Sequence, residues 1–161
     1  MSKVLVIFAE PEQFLQVLEK RFPAVDFSYA STGDEVLARL AAQNPEVVFS
    51  MKDLDFPGHL HRPVIDHPSV RWVQVGGSGY DHMLPWDPSR ITVTNGAGVL
   101  SRFLAETVTG AILMLNGNFL HYRNLQHEHT WCNMGFRSLE GQTLLIVGVG
   151  TIGGALADNA K

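Results

Sequence analysis

The feature that most narrows the possible folds is an alternation, through the first half of the chain, between short continuous apolar runs and stretches of helical period. Residues 4–8 are apolar at every position, which is the pattern of a strand covered on both faces. Pro11 then opens a stretch in which Phe14, Val17, Leu18 and Phe22 share one side at helical spacing. Residues 25–29 read as a second strand, 34–43 carry Val36, Leu37, Leu40 and Ala41 at helical spacing, and 46–50 read as a third strand. Strands separated by helices are joined by crossovers rather than hairpins, so the repeat predicts a parallel sheet.

From 52 to 68 the period dissolves into Pro57-Gly58, three histidines and two further prolines, and an irregular connection is expected. A fourth strand follows at 71–75, closed by Gly76-Gly77-Ser78-Gly79, and a fifth at 91–94, closed by Asn95-Gly96. The first 95 or so residues therefore predict a five-stranded, doubly wound α/β domain with helices on both faces.

The next segment is helical. Leu100, Leu104, Val108, Ala111, Ile112, Leu115 and Phe119 make one stripe, and Phe103, Thr107, Gly110, Met114 and Gly117 a second, with Ser101 placed as N-cap. A helix apolar or small on two faces is expected to be buried on two sides. Asn116-Gly117-Asn118 opposes a single uninterrupted helix, because glycine costs about 1 kcal/mol in a helix interior. The span 127–137 is polar and aperiodic and reads as a linker, after which 143–147 predict a strand running into a glycine turn and an alanine-rich helix start.

Composition excludes several classes. Sixteen acidic against twelve basic residues give a net charge of -4 without any basic run, so neither nucleic acid nor an anionic membrane is expected as partner. The apolar stretches at 111–115 and 144–147 are too short to span a bilayer. Cys132 is the single cysteine, so no intrachain disulfide can form, and the amino terminus shows no secretory signal. A cytoplasmic location is the expectation.

Gly148, Gly150 and Gly153 form a G-x-G-x-x-G run between the expected strand and helix. Such spacing allows a tight turn, a close approach of backbone to a pyrophosphate, and tight packing of helix on strand, while N–H groups of the helix start, at Thr151 and Ile152, face the phosphates. The acidic or basic residue that reads the ribose belongs roughly 20 residues further on, past Lys161. The Gly77-Ser78-Gly79 loop lies where a parallel sheet places its ligands, at the carboxyl end of a strand, and could cradle an anion or be a plain turn. The pairs His59/His61 and His127/His129 lack the spacing of a zinc site and are expected to be solvated; no metal is expected. Cys132 reads as an ordinary thiol, Glu106 as a helix-start acid, and Trp131 as a packing anchor.

Taken in order, 70–82, 93–100, 104–107, Trp131 and 139–153 resemble the D-isomer-specific 2-hydroxyacid dehydrogenases. The resemblance covers essentially the whole chain. It implies a flavodoxin-like substrate domain over 1–99, a long interdomain and dimerisation helix over 100–127, a linker over 128–141, and the start of an incomplete NAD(P)-binding Rossmann domain over 142–161. It further implies that Gly77, Ser78 and Gly79 hold the carboxylate of a small 2-oxo or 2-hydroxy acid, that Ser78 also touches NAD or NADP, and that Gly148, Gly150, Thr151, Ile152 and Gly153 hold the dinucleotide. The family's catalytic Arg, Glu and His fall beyond Lys161, so no catalytic residue is assigned. His82 does not match the family's general acid. The expected reaction of the whole enzyme is hydride transfer between nicotinamide and a glyoxylate- or hydroxypyruvate-like acid, with a homodimer formed through the long helix and an inactive isolated chain that binds dinucleotide weakly.

Other readings are weighed against this one. A receiver domain needs paired acids after the first strand and an aspartate after the third, where Ala9-Glu10 and Ser50-Met51 stand; a flavodoxin phosphate loop is opposed by Glu10 and Glu12. A non-catalytic association module pairing through the double apolar stripe remains as the alternative.

Overall fold

A computed structural model describes residues 2–52, 57–135 and 137–161. The chain divides into two compact units, Met1–Ala97 and Gly98–Lys161.

The first unit runs β1 (Lys3–Ile7), α1 (Glu12–Arg21), β2 (Asp26–Ala30), α2 (Gly33–Gln43), β3 (Val47–Ser50), α3 (Arg62–Asp66), β4 (Trp72–Val75) and β5 (Thr92–Thr94). All strand pairs are parallel, in the order β2-β1-β3-β4-β5. The chain moves outward from β1 to β2 and then back across β1, so this is the doubly wound sheet that the alternation predicts.

Register explains how the sheet is covered. Leu5 stands beside Val48 and Val48 beside Val73, while Ile7, Ser50 and Val75 make the next row. In-register neighbours of a parallel sheet share a face. These rows are sealed from solvent and cluster with Val36 and Leu40 of α2 and Val64 and Ile65 of α3, each large side chain stabilising the unit by roughly 1.5–3 kcal/mol. Phe49 points the other way and meets Phe14 of α1 at 5.8 Å between ring centroids, with Phe8 at 5.2 Å from Phe14. Helices therefore lie on both faces.

Helix ends follow local chemistry. The Thr32 hydroxyl accepts the Glu35 N–H at the start of α2, and the Glu35 carboxylate accepts from the N–H and hydroxyl of Ser31. Those donors hold the Glu35 carboxyl below the usual carboxylate range. Asn44, left-handed at φ 48°, ends α2.

The connection at 52–68 is more ordered than its composition suggests. Residues 53–56 lie outside the described residues, but Gly58–His61 form a 3-10 turn that leads into α3, with Pro63 in its first turn. A proline there sets the helical φ without removing a needed donor, so what reads as a breaker is a starter.

The second unit contains α4 (Ser101–Asn116), α5 (Phe119–His127) and α6 (Thr151–Asn159). α4 reaches past Leu115 as expected, but Gly117 and the left-handed Asn118 (φ 54°) turn the chain by 59° into α5, so 100–127 is two helices. Leu100, not Ser101, takes the cap position of α4, and no side chain caps it. Glu106 is exposed in the second turn and caps no N–H at the helix start among the described residues. One face of α4 packs on α6, where Asn159 Nδ2 donates to Thr109 Oγ1 at 3.2 Å. Only Ala105 is fully buried among the hydrophobic residues described in this unit, and Phe103 and Leu115 are about two-thirds exposed. The expected burial of both stripes is thus not met within the unit.

The linker is tied down rather than loose: the Tyr122 hydroxyl donates to Met134 O at 2.8 Å and accepts the Met134 N–H, and Asn116 donates to Arg137 O. Trp131 is 93% exposed and anchors nothing. Phe136, within this span, lies outside the described residues. Residues 143–147 form no strand, because no described strand pairs with them. No single helix among the described residues is long and apolar enough to cross a membrane.

Candidate functional site

Two glycine-rich turns carry the candidate chemistry, one in each unit. In the first, β4 runs out into Gly76, whose N–H donates to Ser50 O at 2.9 Å. The outgoing end of β5 then takes the loop's carbonyls: Gly96 N–H donates to Gly77 O at 2.9 Å and Asn95 Nδ2 to Ser78 O at 2.8 Å. The Asn95 side chain is itself oriented by the Ala97 N–H, 3.3 Å from its Oδ1. With the carbonyls pulled inward, the N–H groups of Gly77, Ser78 and Gly79 find no acceptor among the described residues, and all three residues are exposed. Open N–H donors beside a hydroxyl are groups from which a carboxylate or another small anion accepts hydrogen bonds.

The glycines here do different jobs. A Cβ on Gly96 would stand 2.5 Å from Gly76 O, so the contact between the two loops requires its absence. A Cβ on Gly77 or Gly79 would meet nothing within 4 Å, so what these glycines provide is bare backbone open to a ligand. Tyr80, Trp86, Val93, Thr94 and Asn95 line an open cavity of about 240 Å³ next to this loop, with the Tyr80 and Trp86 rings edge to face at 5.8 Å.

Beyond the loop the chain makes a 3-10 turn at Asp81–Met83. Met83 is fully buried, and Arg62 donates to Met83 O and Pro85 O. His82 stands edge-on to His61, with ring centroids 5.6 Å apart, and the fully buried His61 meets Ser50 Oγ through Nδ1 at 2.5 Å. The pair His59/His61 is therefore split: His59 is exposed, whereas His61 is an interior residue, against the expectation of solvated loop histidines. A serine alternating with Val48 on a buried strand needs a polar partner, and that need was the sequence signal for His61. Burial and the charge of Lys52 lower the His82 pKa, while Asp81 opposes them.

In the second unit the spaced glycines separate into three roles. Gly148 adopts φ 92°, a conformation that side chains rarely allow. A Cβ on Gly150 would meet nothing within 4 Å, leaving the backbone open where a phosphate would approach. A Cβ on Gly153 would clash with Gly148 O and touch Ile146 Cγ2 at 3.4 Å, so the close fit of helix on turn requires glycine. The first helical bond of α6 is Gly154 N–H to Gly150 O; the N–H groups of Thr151, Ile152 and Gly153 have no acceptor among the described residues and sit at the positive end of a nine-residue helix. Turn, open backbone and free donors together fit the pyrophosphate of a dinucleotide.

No protein-family model matches the chain. Among solved structures it is similar to a D-isomer specific 2-hydroxyacid dehydrogenase family protein from Aeromonas salmonicida, at TM-score 0.84 and 20% identity over 99% of this chain and 50% of that one. It is also similar to an NADPH-dependent glyoxylate/hydroxypyruvate reductase from Sinorhizobium meliloti (TM-score 0.64, 24% identity, 98% and 49% covered) and to a D-lactate dehydrogenase with NAD+ from Lactobacillus jensenii (0.72, 17%, 98% and 50%). The chain has the α/β fold of these dehydrogenases and spans about half the length of the structures it matches.

Proposed function

We propose that this chain is the amino-terminal portion of an NAD(P)-dependent oxidoreductase that interconverts a small D-2-hydroxy acid and its 2-oxo acid, with glyoxylate- or hydroxypyruvate-like substrates preferred. The observation that carries the reading is the division of labour among Gly148, Gly150 and Gly153: a positive φ, an open backbone and a close contact, in the order a dinucleotide turn needs. The solved relatives support nicotinamide chemistry, one named with NAD+ and one as NADPH-dependent. When bound, the nicotinamide would supply the hydride.

The chain's own residues bind and orient. Gly77, Ser78 and Gly79 would direct their N–H groups, with the Ser78 hydroxyl, at the substrate carboxylate. Thr151, Ile152 and Gly153 would direct theirs at the pyrophosphate. By the resemblance, the Arg that grips the substrate and the Glu–His pair that delivers the proton belong to further sequence, so the 161 residues alone are expected to turn nothing over. Pairing of two copies through α4 and α5 is part of the proposal, supported by the exposure of Phe103, Leu115 and Phe119. The same exposed face also supports the alternative of a non-catalytic association module.

The test is an amide-resolved NMR titration of the 161-residue chain. Millimolar NAD+ is expected to move the Thr151–Gly153 amides and glyoxylate the Gly77–Gly79 amides, with no NADH or NADPH oxidation in the presence of glyoxylate or hydroxypyruvate. Silent amides at both sites would sink the enzyme reading. Robust turnover would overturn the assignment of the proton-transfer residues to further sequence.

A further inference from the structure

The loop that offers its N–H groups to a carboxylate is held at two points. Its near end is fixed by Gly76 on Ser50 O and by Gly96 on Gly77 O. Its far end runs through Tyr80 into the 3-10 turn, and there the fixing residue is His82. The ring stands edge-on to His61 at 5.6 Å, and the root of the His82 side chain packs so tightly over Gly58 that a Cβ on that glycine would come within 2.6 Å of His82 Cβ. Met83, next in sequence, is sealed in the core, and its N–H donates to Tyr80 O at 2.9 Å. A shift at position 82 therefore passes to Tyr80 and Gly79 through one short hydrogen-bonded turn.

His82 Nε2 is buried and has no hydrogen-bond partner among the described residues. An unpartnered acceptor in that place is tolerable; a second N–H is not, since it would be a buried donor without an acceptor on a charged ring. Around the ring stand Lys52 from the end of β3, Asp81 from the same turn, and His61 from the 3-10 turn before α3. Lys52 repels a charged ring and Asp81 attracts it, so among the described residues the neighbouring charges oppose one another and burial decides against the imidazolium. Protonation is relieved only if the ring swings towards water, and the turn that ends the loop goes with it.

We infer that His82 is a positioning residue for the Gly77–Gly79 loop: neutral, it locks the far end of the loop against Gly58 and His61, and charged, it releases it. The inference rests on the reading of that loop as the carboxylate site. It adds that carboxylate binding weakens in acid through a residue that never touches the ligand.

The experiment follows the Ser78 and Gly79 amides and the His82 Cε1–H of the full chain by NMR across pH, first without ligand and then with glyoxylate. The expected result is that both amides and His82 share one midpoint, below the ordinary histidine range, and that the glyoxylate Kd rises at least threefold across it. His82→Phe, which keeps the ring edge on His61 but cannot ionise, is expected to abolish the shared titration with unchanged thermal midpoint at neutral pH. His82→Gln serves as the second variant if the bulkier ring disturbs folding. Amides that ignore His82, or that titrate equally in both variants, would overturn the positioning role. Glyoxylate failing to bind the wild-type chain at any pH would instead count against the carboxylate-site reading, because the ligand-free titration still reports on the lock.

Discussion

β4 and the run at 143–147 are both short, mostly apolar segments leading into glycines, and they end in opposite states. Val73, paired to both β3 and β5, and Val75, paired to β3, are sealed from solvent at 0% and 1% exposure. Leu145 and Val147 are 83% and 93% exposed and pair with no described strand. A continuous apolar run states a requirement for a sheet; whether a strand results depends on neighbours supplied from elsewhere in sequence. The same contrast separates the two glycine turns. The loop after β4 is braced by a paired strand on either side of it, whereas among the described residues no paired strand flanks the turn at 148–153.

The largest expected effect breaks or confirms this contrast directly. Leu5→Ala, in the sealed row of the sheet, is expected to destabilise the first unit by about 2–5 kcal/mol, while the identical change Leu145→Ala stays within about 0.5 kcal/mol. Urea titration followed by tryptophan fluorescence measures both; equal losses would mean that 143–147 is packed after all. Next in size is Gly96→Ala, whose Cβ must push Gly76 O away. A loss of about 1–3 kcal/mol is expected, against a neutral or slightly stabilising Gly77→Ala, which meets open space.

The pH dependence is smaller and has a definite sign. A histidine whose pKa is lowered by folding binds fewer protons folded than unfolded, so the stability it contributes is present above its unfolded pKa and lost as pH falls through the folded one. Thermal midpoints of the wild type should therefore fall on acidification below the ordinary histidine range, and His82→Phe should flatten that slope. The lowered Glu35 and Asp87 carboxyls act in the same direction in stronger acid, and both are exposed enough to contribute little. The smallest effect concerns assembly. If two copies pair through α4, Leu115→Glu should convert a dimer to a monomer in light scattering while leaving the fold of each unit intact.

Much of the first unit was legible because burial and helical period are local properties. Residues 4–8 and 46–50 announced their strands within a residue or so of β1 and β3, and 34–43 its helix. What stayed hidden depends on partners distant in sequence. Ser50 on a buried strand signals that a polar partner is needed but not which residue supplies it, and Pro63 looks the same whether it stops a helix or starts one. The glycine spacing at 148, 150 and 153 was readable, but the assignment of conformation to the first, access to the second and contact to the third depends on the folded backbone. Asn95 and Gly96, which aim the loop by taking its carbonyls, were read merely as a strand ending. Trp131, placed as an anchor on size alone, shows that a large aromatic finds a home only where the fold has built one.

The exposed run at 143–149 also sets how the chain behaves in a crowded solution. Seven residues without charge or proline, rich in leucine, isoleucine and valine, and largely open to solvent, have the composition that stacks into cross-β fibrils when copies meet. No lysine, aspartate or proline interrupts it as a gatekeeper. At high concentration these 161 residues are expected to assemble through this ribbon, and a single charge at position 145 or 147 is expected to suppress that assembly.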